Sequence, residues 1–184
     1  MRDLDAPAIA AGQGLLFDTA FGRCALAWNE HGLTAVRLPG ASDAATMVGL
    51  PALSPAGSAP EWVQTAVAAM QAHLQGEADD LRQVPLDWSR VGSFERRVHE
   101  ATRALDPGCT TTYGAIARTL GEPGAVRAVG QALGHNPWPL VIPCHRVLAA
   151  GGRLGGFSAP GGSETKRRLL VLESTMRRRE GELF

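Results

Sequence analysis

Hydrophobic positions between residues 14 and 38 alternate with other residues, which is the period of two that β-strands show. Turn-forming residues interrupt the alternation at Phe21-Gly22 and at residues 29–32. The pattern therefore predicts three short strands joined as an antiparallel meander. Residues 39–60 are rich in Pro, Gly, Ala and Ser, and we expect an irregular connection there.

From residue 61 to about 75 the hydrophobic residues recur every three or four positions, which predicts a helix. The apolar residues within 81–88 predict a returning strand, and residues 89–92 mark a boundary. We therefore expect an α+β chain with two domains. Residues 1–91 would form a supporting domain with a small antiparallel sheet and a helix, and residues 92–184 would form a second, mostly helical domain.

The helical half begins with Ser93, which can cap a helix that runs to about residue 105 before Pro107-Gly108 ends it. Two short helices follow, over residues 113–120 and 124–133, joined by a turn that contains Gly. Such a pair fits a helix-turn-helix at about 113–134, although an ordinary helical hairpin has the same pattern. Small residues cover much of the second helix and would let another molecule approach its backbone closely.

Further elements are predicted on either side of a glycine-rich segment. Residues 140–142 are apolar and predict a short buried strand, whereas residues 150–163 contain six glycines and predict a flexible or tightly turning loop that could form a wing. A last helix is predicted over 163–174. The tail Arg177-Arg178-Arg179 is expected to be solvated, with phosphate contact as an alternative.

Composition narrows the class of protein. The chain has 184 residues, of which 45% are hydrophobic, and no apolar run is long enough to span a membrane. Its first residues lack the pattern of a signal peptide, so we expect a cytoplasmic protein without a membrane partner. Residues 1–92 hold five Arg and ten Asp or Glu, while residues 93–184 hold thirteen Lys or Arg and eight Asp or Glu. The basic second half could meet a polyanion, or the asymmetry could be accidental.

The three cysteines, Cys24, Cys109 and Cys144, are too few and too far apart for a disulfide framework or a close-spaced zinc site. Cys144 follows the predicted strand and precedes His145. A thiol reacts as its thiolate, which a nearby His favours. Neighbours on a strand point to opposite faces, so His145 could act through a bridging water, with an acid such as Glu173 fixing its tautomer. A buried structural Cys-His pair is the alternative.

The surroundings of Cys144 favour the reactive interpretation. Segments in a fixed order accompany it: Thr112-Tyr113-Gly114-Ala115-Ile116-Ala117, Arg127-Ala128-Val129-Gly130, Asn136-Pro137, Ile142-Pro143-Cys144-His145-Arg146-Val147, Gly155-Gly156-Phe157-Ser158 and Leu169-Leu170-Val171-Leu172-Glu173. Together they resemble the O6-alkylguanine-DNA alkyltransferases. The resemblance covers about residues 93–174 and, more loosely, residues 14–90.

That resemblance implies a ribonuclease H-like N-terminal domain and a winged helix-turn-helix C-terminal domain. It also implies three groups of functional residues. The catalytic group would be Cys144, His145, Glu173, Tyr113 and Asn136. The DNA-binding group would be Arg127, Tyr113, Ala128, Gly130 and Thr112, with Arg127 filling the gap left by a flipped guanine. The substrate pocket would be lined by Val147, Phe157, Ser158 and Tyr113.

The activity implied is the stoichiometric transfer of an alkyl group from O6-alkylguanine in duplex DNA to Cys144, by a monomer, with no cofactor and no metal. O4-alkylthymine is a further possible substrate. Some relatives carry zinc in the N-terminal domain, but Cys24, His31 and His73 form no recognisable ligand set. His99 stands where many members have tryptophan. The competing hypotheses are an unreactive sensor of alkylated DNA, a winged-helix regulator with a structural cysteine, and a Cys-His hydrolase.

Overall fold

The computed structural model describes residues 12–55 and 57–181, the last five of them as backbone only. Three strands open the chain: β1 (Gln13–Thr19), β2 (Gly22–Asn29) and β3 (Gly32–Arg37). They form an antiparallel sheet in the order β1-β2-β3, so the predicted meander is confirmed. Gly32 closes the second turn with φ +144, where a Cβ would lie 2.8 Å from the backbone of Leu86. Only glycine fits there.

Two helices follow the sheet, α1 (Asp43–Thr46) and α2 (Glu61–Gln75). The helix predicted from residue 61 is confirmed as α2, while the one-turn α1 was not predicted. The buried residues of α2 are spaced three or four apart and join the sheet in one hydrophobic core: Val63, Ala66, Met70 and Leu74. Gly76, in the left-handed conformation with φ +100, ends the helix.

The strand predicted over residues 81–88 is wrong. This segment contributes only an isolated bridge from Leu86 to Leu33, and a 3-10 turn, Trp88–Arg90, follows it. The side chains of Asp79 and Asp80 accept hydrogen bonds from the amides two residues ahead, which holds the start of the segment in tight turns. Such local side-chain bonds compete with strand pairing.

The second half contains α3 (Ser93–Arg103), β4 (Thr111–Thr112), α4 (Tyr113–Thr119), α5 (Val126–Gly134), β5 (Val147–Leu148) and α6 (Gly162–Gly181). The chain is thus mixed α/β, as predicted. Gly92, rather than Ser93, is the N-cap of α3, and its amide donates to the Glu95 carboxylate. A second hydrophobic core joins α3, α4 and α5 through Val98, Ile116, Ala117, Val129, Ala132 and Leu133.

The strand predicted at residues 140–142 is also wrong. Leu140 has a φ of +77, which no strand residue adopts, and the only pairing is a bridge between Pro139 and Ile142. The segment is nevertheless fully buried, because it packs into the core of the first half together with Trp138. A buried apolar run therefore fits an irregular segment as well as a strand.

Hydrogen bonds anchor this irregular segment to β3. The indole of Trp138 donates to the carbonyl of Leu33 at 2.7 Å, and the amide of Val36 donates to the carbonyl of Pro137 at 2.8 Å. The residues that lead to Cys144 are therefore fixed by the sheet of the first half. Within the described ranges, no helix is both long and apolar enough to cross a membrane. The side chains of Arg177–Arg179 lie outside the described residues.

Candidate active site

Cys144 opens a 3-10 turn, Cys144–Arg146, and does not continue a strand as expected. Successive residues of such a turn point about 120° apart, since there are three residues per turn. All three side chains are buried; Cys144 is 7% exposed and the other two less than that. The turn therefore places a thiol, an imidazole and a guanidinium together in the protein interior.

The thiol of Cys144 contacts Asn136, which follows α5. The Asn136 amide nitrogen lies 3.3 Å from Sγ and 2.9 Å from the carbonyl of Ile142, while its oxygen accepts from the amide of Trp138 at 3.0 Å. Burial raises the pKa of the Cys144 thiol, and the Asn136 contact and the charge of Lys166 oppose that rise. The resting group is thus a protonated thiol that needs a base.

Glu173, on α6, is the centre of a buried network. Its Oε1 lies 2.8 Å from Nε2 of His145, and Arg146 donates to both of its oxygens at 2.7 to 3.2 Å. The amide of Gly108 donates to Oε2 at 3.1 Å. Burial raises the pKa of Glu173, but the hydrogen bonds from His145, His73 and Arg146 outweigh it and hold that pKa far below its usual range. Glu173 is therefore an ionised carboxylate.

The protonation of His145 follows from this contact. Because Nε2 faces a carboxylate, it carries the proton, and Nδ1 is left as an acceptor. Nδ1 is buried and has no hydrogen-bonding partner among the described protein atoms. Burial lowers the pKa of His145, and the Glu173 contact raises it in part. The imidazole is therefore neutral at rest and able to accept a proton at Nδ1.

Tyr113 is the first residue of α4 and is half-buried beside the thiol. Burial and then the neighbouring Cys144 raise the pKa of its phenol, which stays a hydrogen-bond donor at neutral pH. Val147 is buried in the same core as Cys144, and Phe157 packs against both cores. Ser158 is exposed. Val147, Phe157 and Tyr113 therefore pack in the hydrophobic cluster that contains Cys144.

Lys166 was not predicted from the sequence and is completely buried on α6. Its Nζ donates to the carbonyl of Val147 at 2.6 Å and lies 5.9 Å from the centre of the Tyr113 ring. Its charge lowers the pKa of Cys144 and so favours the thiolate. The spacing offered a clue, because Lys166 lies seven residues before Glu173, two turns along the same helical face. Arg146 lies in the segment 142–147, and its place in the sequence does not indicate its contact with Glu173.

Thr112, Arg127, Ala128 and Gly130 make no side-chain hydrogen bond with this network. The Thr112 hydroxyl caps α4 by accepting from the amide of Ala115 at 3.1 Å. Arg127, the second residue of α5, is exposed, and within the described part of the chain no hydrogen bond or ion pair holds it. Ala128 and Gly130 are half-buried, and a Cβ added at Gly130 would meet nothing within 4 Å. The outer side of α5 is therefore open.

The three residues considered for zinc do not meet. Cys24 is buried and contacts the hydroxyl of Thr19, and burial raises the pKa of its thiol to about 11. His31 is exposed beside Glu30, while His73 is buried against Glu173. Each thus has a separate environment.

Comparison with known proteins identifies relatives for these elements. Residues 93–175 match the model of the 6-O-methylguanine DNA methyltransferase DNA-binding domain. A methylated-DNA–protein-cysteine methyltransferase of Mycolicibacterium paratuberculosis is 45% identical over 108 residues, which are 59% of this chain and 63% of that protein. The chain thus spans slightly less than two thirds of that relative.

Other relatives are matched over more of their length. The enzyme of the same name from Methanothermobacter thermautotrophicus is 33% identical over 79% of this chain and 76% of its own. The crystal structure of Mycobacterium tuberculosis OGT in complex with DNA superposes with a TM-score of 0.71 at 33% identity, covering 89% of this chain and 94% of that one. The likeness therefore includes both halves of the chain.

Proposed function

The chain belongs to the methylated-DNA–protein-cysteine methyltransferase family, and we propose that it repairs DNA by moving an alkyl group from O6 of guanine to Sγ of its own Cys144. The observation that carries this proposal is the network itself. A buried thiol, a neutral imidazole and an ionised carboxylate lie on one short turn and the helix packed against it. They supply a nucleophile, a base and the group that orients the base.

The reaction begins with removal of the thiol proton. A water molecule between Sγ and Nδ1 of His145 passes the proton to the imidazole, and Glu173 stabilises the imidazolium that results. The charge of Lys166 and the amide of Asn136 stabilise the thiolate. This arrangement explains how a thiol whose pKa is raised by burial is ionised only when the site is used.

The thiolate then attacks the alkyl carbon in line with the bond to O6. The S–C bond forms as the C–O6 bond breaks, and the bonding electrons pass to the guanine ring. The Tyr113 hydroxyl donates a proton or hydrogen bond to the departing base and the Ser158 amide donates a hydrogen bond, while Val147 and Phe157 pack against the base. A thioether is stable, so each protein molecule repairs one lesion.

DNA binding is assigned to α4, α5 and the turn between them. The related OGT has been crystallised in complex with DNA, and the open outer side of α5 supports an equivalent use here. Thr112, Ala128 and Gly130 approach the sugar-phosphate backbone in the minor groove. Arg127 enters the base stack and occupies the place of the flipped guanine.

Several finer features belong to the same proposal. They are a ribonuclease H-like N-terminal domain over residues 1–91, a winged form of the helix-turn-helix in residues 92–184, a monomeric state and a cytoplasmic location. Residues 150–152, in the segment that would be the wing, form a 3-10 turn. Repair of O4-alkylthymine is an extension of the same chemistry.

The test is the intact mass of the protein after incubation with a duplex that contains one O6-methylguanine. We expect the mass of one added methyl group, which peptide fragmentation assigns to Cys144, and no further product with excess DNA. The variant C144A should gain nothing, whereas C109A should react like the parent. An unmodified parent protein, or transfer that persists in C144A, would overturn the proposal.

A further inference from the structure

A second histidine contacts the carboxylate that orients His145. His73 lies in the last turn of α2, a hundred residues away in sequence, and its side chain is only 1% exposed. Its Nε2 lies 3.1 Å from Oε1 of Glu173, the same oxygen that His145 contacts at 2.8 Å. One carboxylate oxygen therefore accepts hydrogen bonds from two imidazoles, one from each half of the chain.

The two imidazoles have the same tautomer for the same reason. Glu173 is ionised and accepts from Arg146 as well, so the nitrogen of each ring that faces Oε1 must be the one that carries a proton. In both rings Nδ1 is buried and has no hydrogen-bonding partner among the described atoms. His73 thus repeats the arrangement of His145, but it extends from α2 and not from the turn that holds the thiol.

When two donors share one acceptor oxygen, each weakens the other's hydrogen bond to that oxygen. A carboxylate oxygen that already accepts from Nε2 of His73 and from Arg146 has less negative charge to offer to His145. The imidazolium of His145, which the proposed transfer would form, is therefore stabilised less than it would be by Glu173 and Arg146 alone. Burial lowers the pKa of His145, Glu173 raises it, and Arg146 and His73 lower it again.

We propose that His73 is a positioning residue for alkyl transfer, which fixes Oε1 of Glu173 and limits the basicity of His145. This inference rests on the proposed function of Cys144. The charged groups that contact the two imidazoles are Glu173 on α6 and, through the same carboxylate, Arg146 on the 3-10 turn, and each imidazole acts on the other. Cys144 precedes His145 on that turn, and the charge of Lys166 acts on the Cys144 thiol. No other charged side chain on α2 has a contact with this group among the described residues.

The experiment measures the rate at which iodoacetamide alkylates Cys144 as a function of pH, resolved by peptide mass spectrometry, in the full chain. H73F removes the donor and fills the space with a ring. His145 should then become more basic and its imidazolium should stabilise the thiolate, so we expect the midpoint of the profile to move to lower pH by about one unit. H73Q retains a donor in the place of Nε2 and should keep the midpoint of the parent.

L74A is the matched control. Leu74 is the buried neighbour of His73 on α2 and has no polar group that could bond Glu173, so its truncation should lower the melting temperature and leave the midpoint unchanged. An unshifted midpoint in H73F, or an equal shift in L74A, would overturn the proposal and leave His73 a merely structural residue.

A second measurement needs no variant and covers the case in which H73F does not fold. Nitrogen-15 NMR of the parent protein should show both His73 and His145 protonated at Nε2, and a His73 protonated at Nδ1 would overturn the proposal. The iodoacetamide profile and the tautomers do not depend on DNA. A parent protein that fails to take methyl from O6-methylguanine would therefore refute the proposed function separately from the contact argued for His73.

Discussion

Burial opposes the ionisation of Cys144, and the residues around it compensate in different ways. Asn136 donates a hydrogen bond to sulfur, Lys166 contributes a nearby positive charge, and Nδ1 of His145 has an unshared electron pair that can accept the proton. Only the first of these is a direct contact with Sγ. The contribution of Asn136 can therefore be separated from the others by a single substitution.

In N136A we expect the alkylation of Cys144 to slow by about tenfold to a hundredfold, because a hydrogen bond to a charged group contributes about 1.5–3 kcal/mol. The rate is measured with iodoacetamide and with methylated duplex. The free energy of unfolding should also fall, since the backbone of Trp138 and Ile142 loses its partner.

N29A controls for that loss of stability. The Asn29 amide bonds Asp87 and the backbone of His31 and makes no hydrogen bond with Cys144. Its removal should lower stability and leave the alkylation rate unchanged. If N29A slowed the reaction as much as N136A does, the effect of Asn136 would come from stability and not from its contact with sulfur.

Glu173 predicts how stability depends on pH. Its folded pKa is depressed, so its contribution is fully present above the unfolded pKa of about 4.3 and is lost as the pH falls toward the folded value. E173Q leaves the buried Arg146 unpaired and should cost about 3–5 kcal/mol at neutral pH. The difference in the free energy of unfolding between the parent and E173Q, measured with urea, should stay constant from pH 7 to 5 and shrink below about pH 4.

E164Q is the control for that prediction. Glu164 lies on the same helix but is exposed, paired only with Arg167. Its substitution should change the free energy of unfolding by less than about 1 kcal/mol at any of these pH values. A gap between the parent and E173Q that failed to shrink in acid would show that Glu173 is not the group that titrates.

At the scale of secondary-structure elements, α5 is held by one face and free on the other. Val129, Ala132 and Leu133 pack into the second core, while Arg127 near its start is exposed and forms no hydrogen bond or ion pair with the described residues. Substitution of Arg127 should therefore leave the fold intact. The residues that stabilise α5 are therefore separate from the residues that it leaves exposed.

R127A should reduce transfer from a methylated duplex by roughly tenfold or more, because extruding a base costs a few kcal/mol and the arginine would no longer fill the gap. Transfer from the free base O6-methylguanine, which needs no extrusion, should be unchanged, and the melting temperature should match that of the parent. R23A removes one exposed charge from the first half and serves as the control. If R127A slowed transfer from the duplex and from the free base equally, Arg127 would act in the transfer step and not in base extrusion.

The elements that could be predicted correctly from the sequence are those that a local residue pattern defines. The meander depends on turns such as the one at Gly32, and α2 on the spacing of its apolar residues. The strand predicted at 140–142 was wrong because burial does not imply pairing. There the amide of Ile142 bonds the carbonyl of Trp138, and the Asn136 side chain bonds the carbonyl of Ile142.

Much the same division applies to the candidate site. Cys144, His145, Asn136 and Glu173 could be named because they lie within recognisable segments, and the structure brings them together. His73 and Lys166 could not be found in that way. The contact between His73 and Glu173 depends on how α2 packs against α6, and no spacing in the sequence contains that information.

On the scale of the whole molecule, the two halves share one hydrophobic core. Residues 138 and 140–142, together with Leu169, pack with the sheet and α2, although they belong to the second half of the sequence. His73 adds a polar contact to the same junction. The acidic first half is thus a support on which the turn that holds Cys144 is built.

This sharing predicts that the full chain unfolds as one unit. Circular dichroism and tryptophan fluorescence should report the same melting transition, because Trp138 lies at the junction and cannot be released while the sheet stays folded. A fragment of residues 92–184 lacks β3 and α2, so it would expose Trp138 and residues 140–142, which pack against them. It would also leave Glu173 without His73. It should therefore melt without a cooperative transition and fail to accept a methyl group. A fragment that melts cooperatively near the melting temperature of the full chain would show that the second half folds without the first. Two separate transitions in the full chain would show that the shared core does not couple the halves.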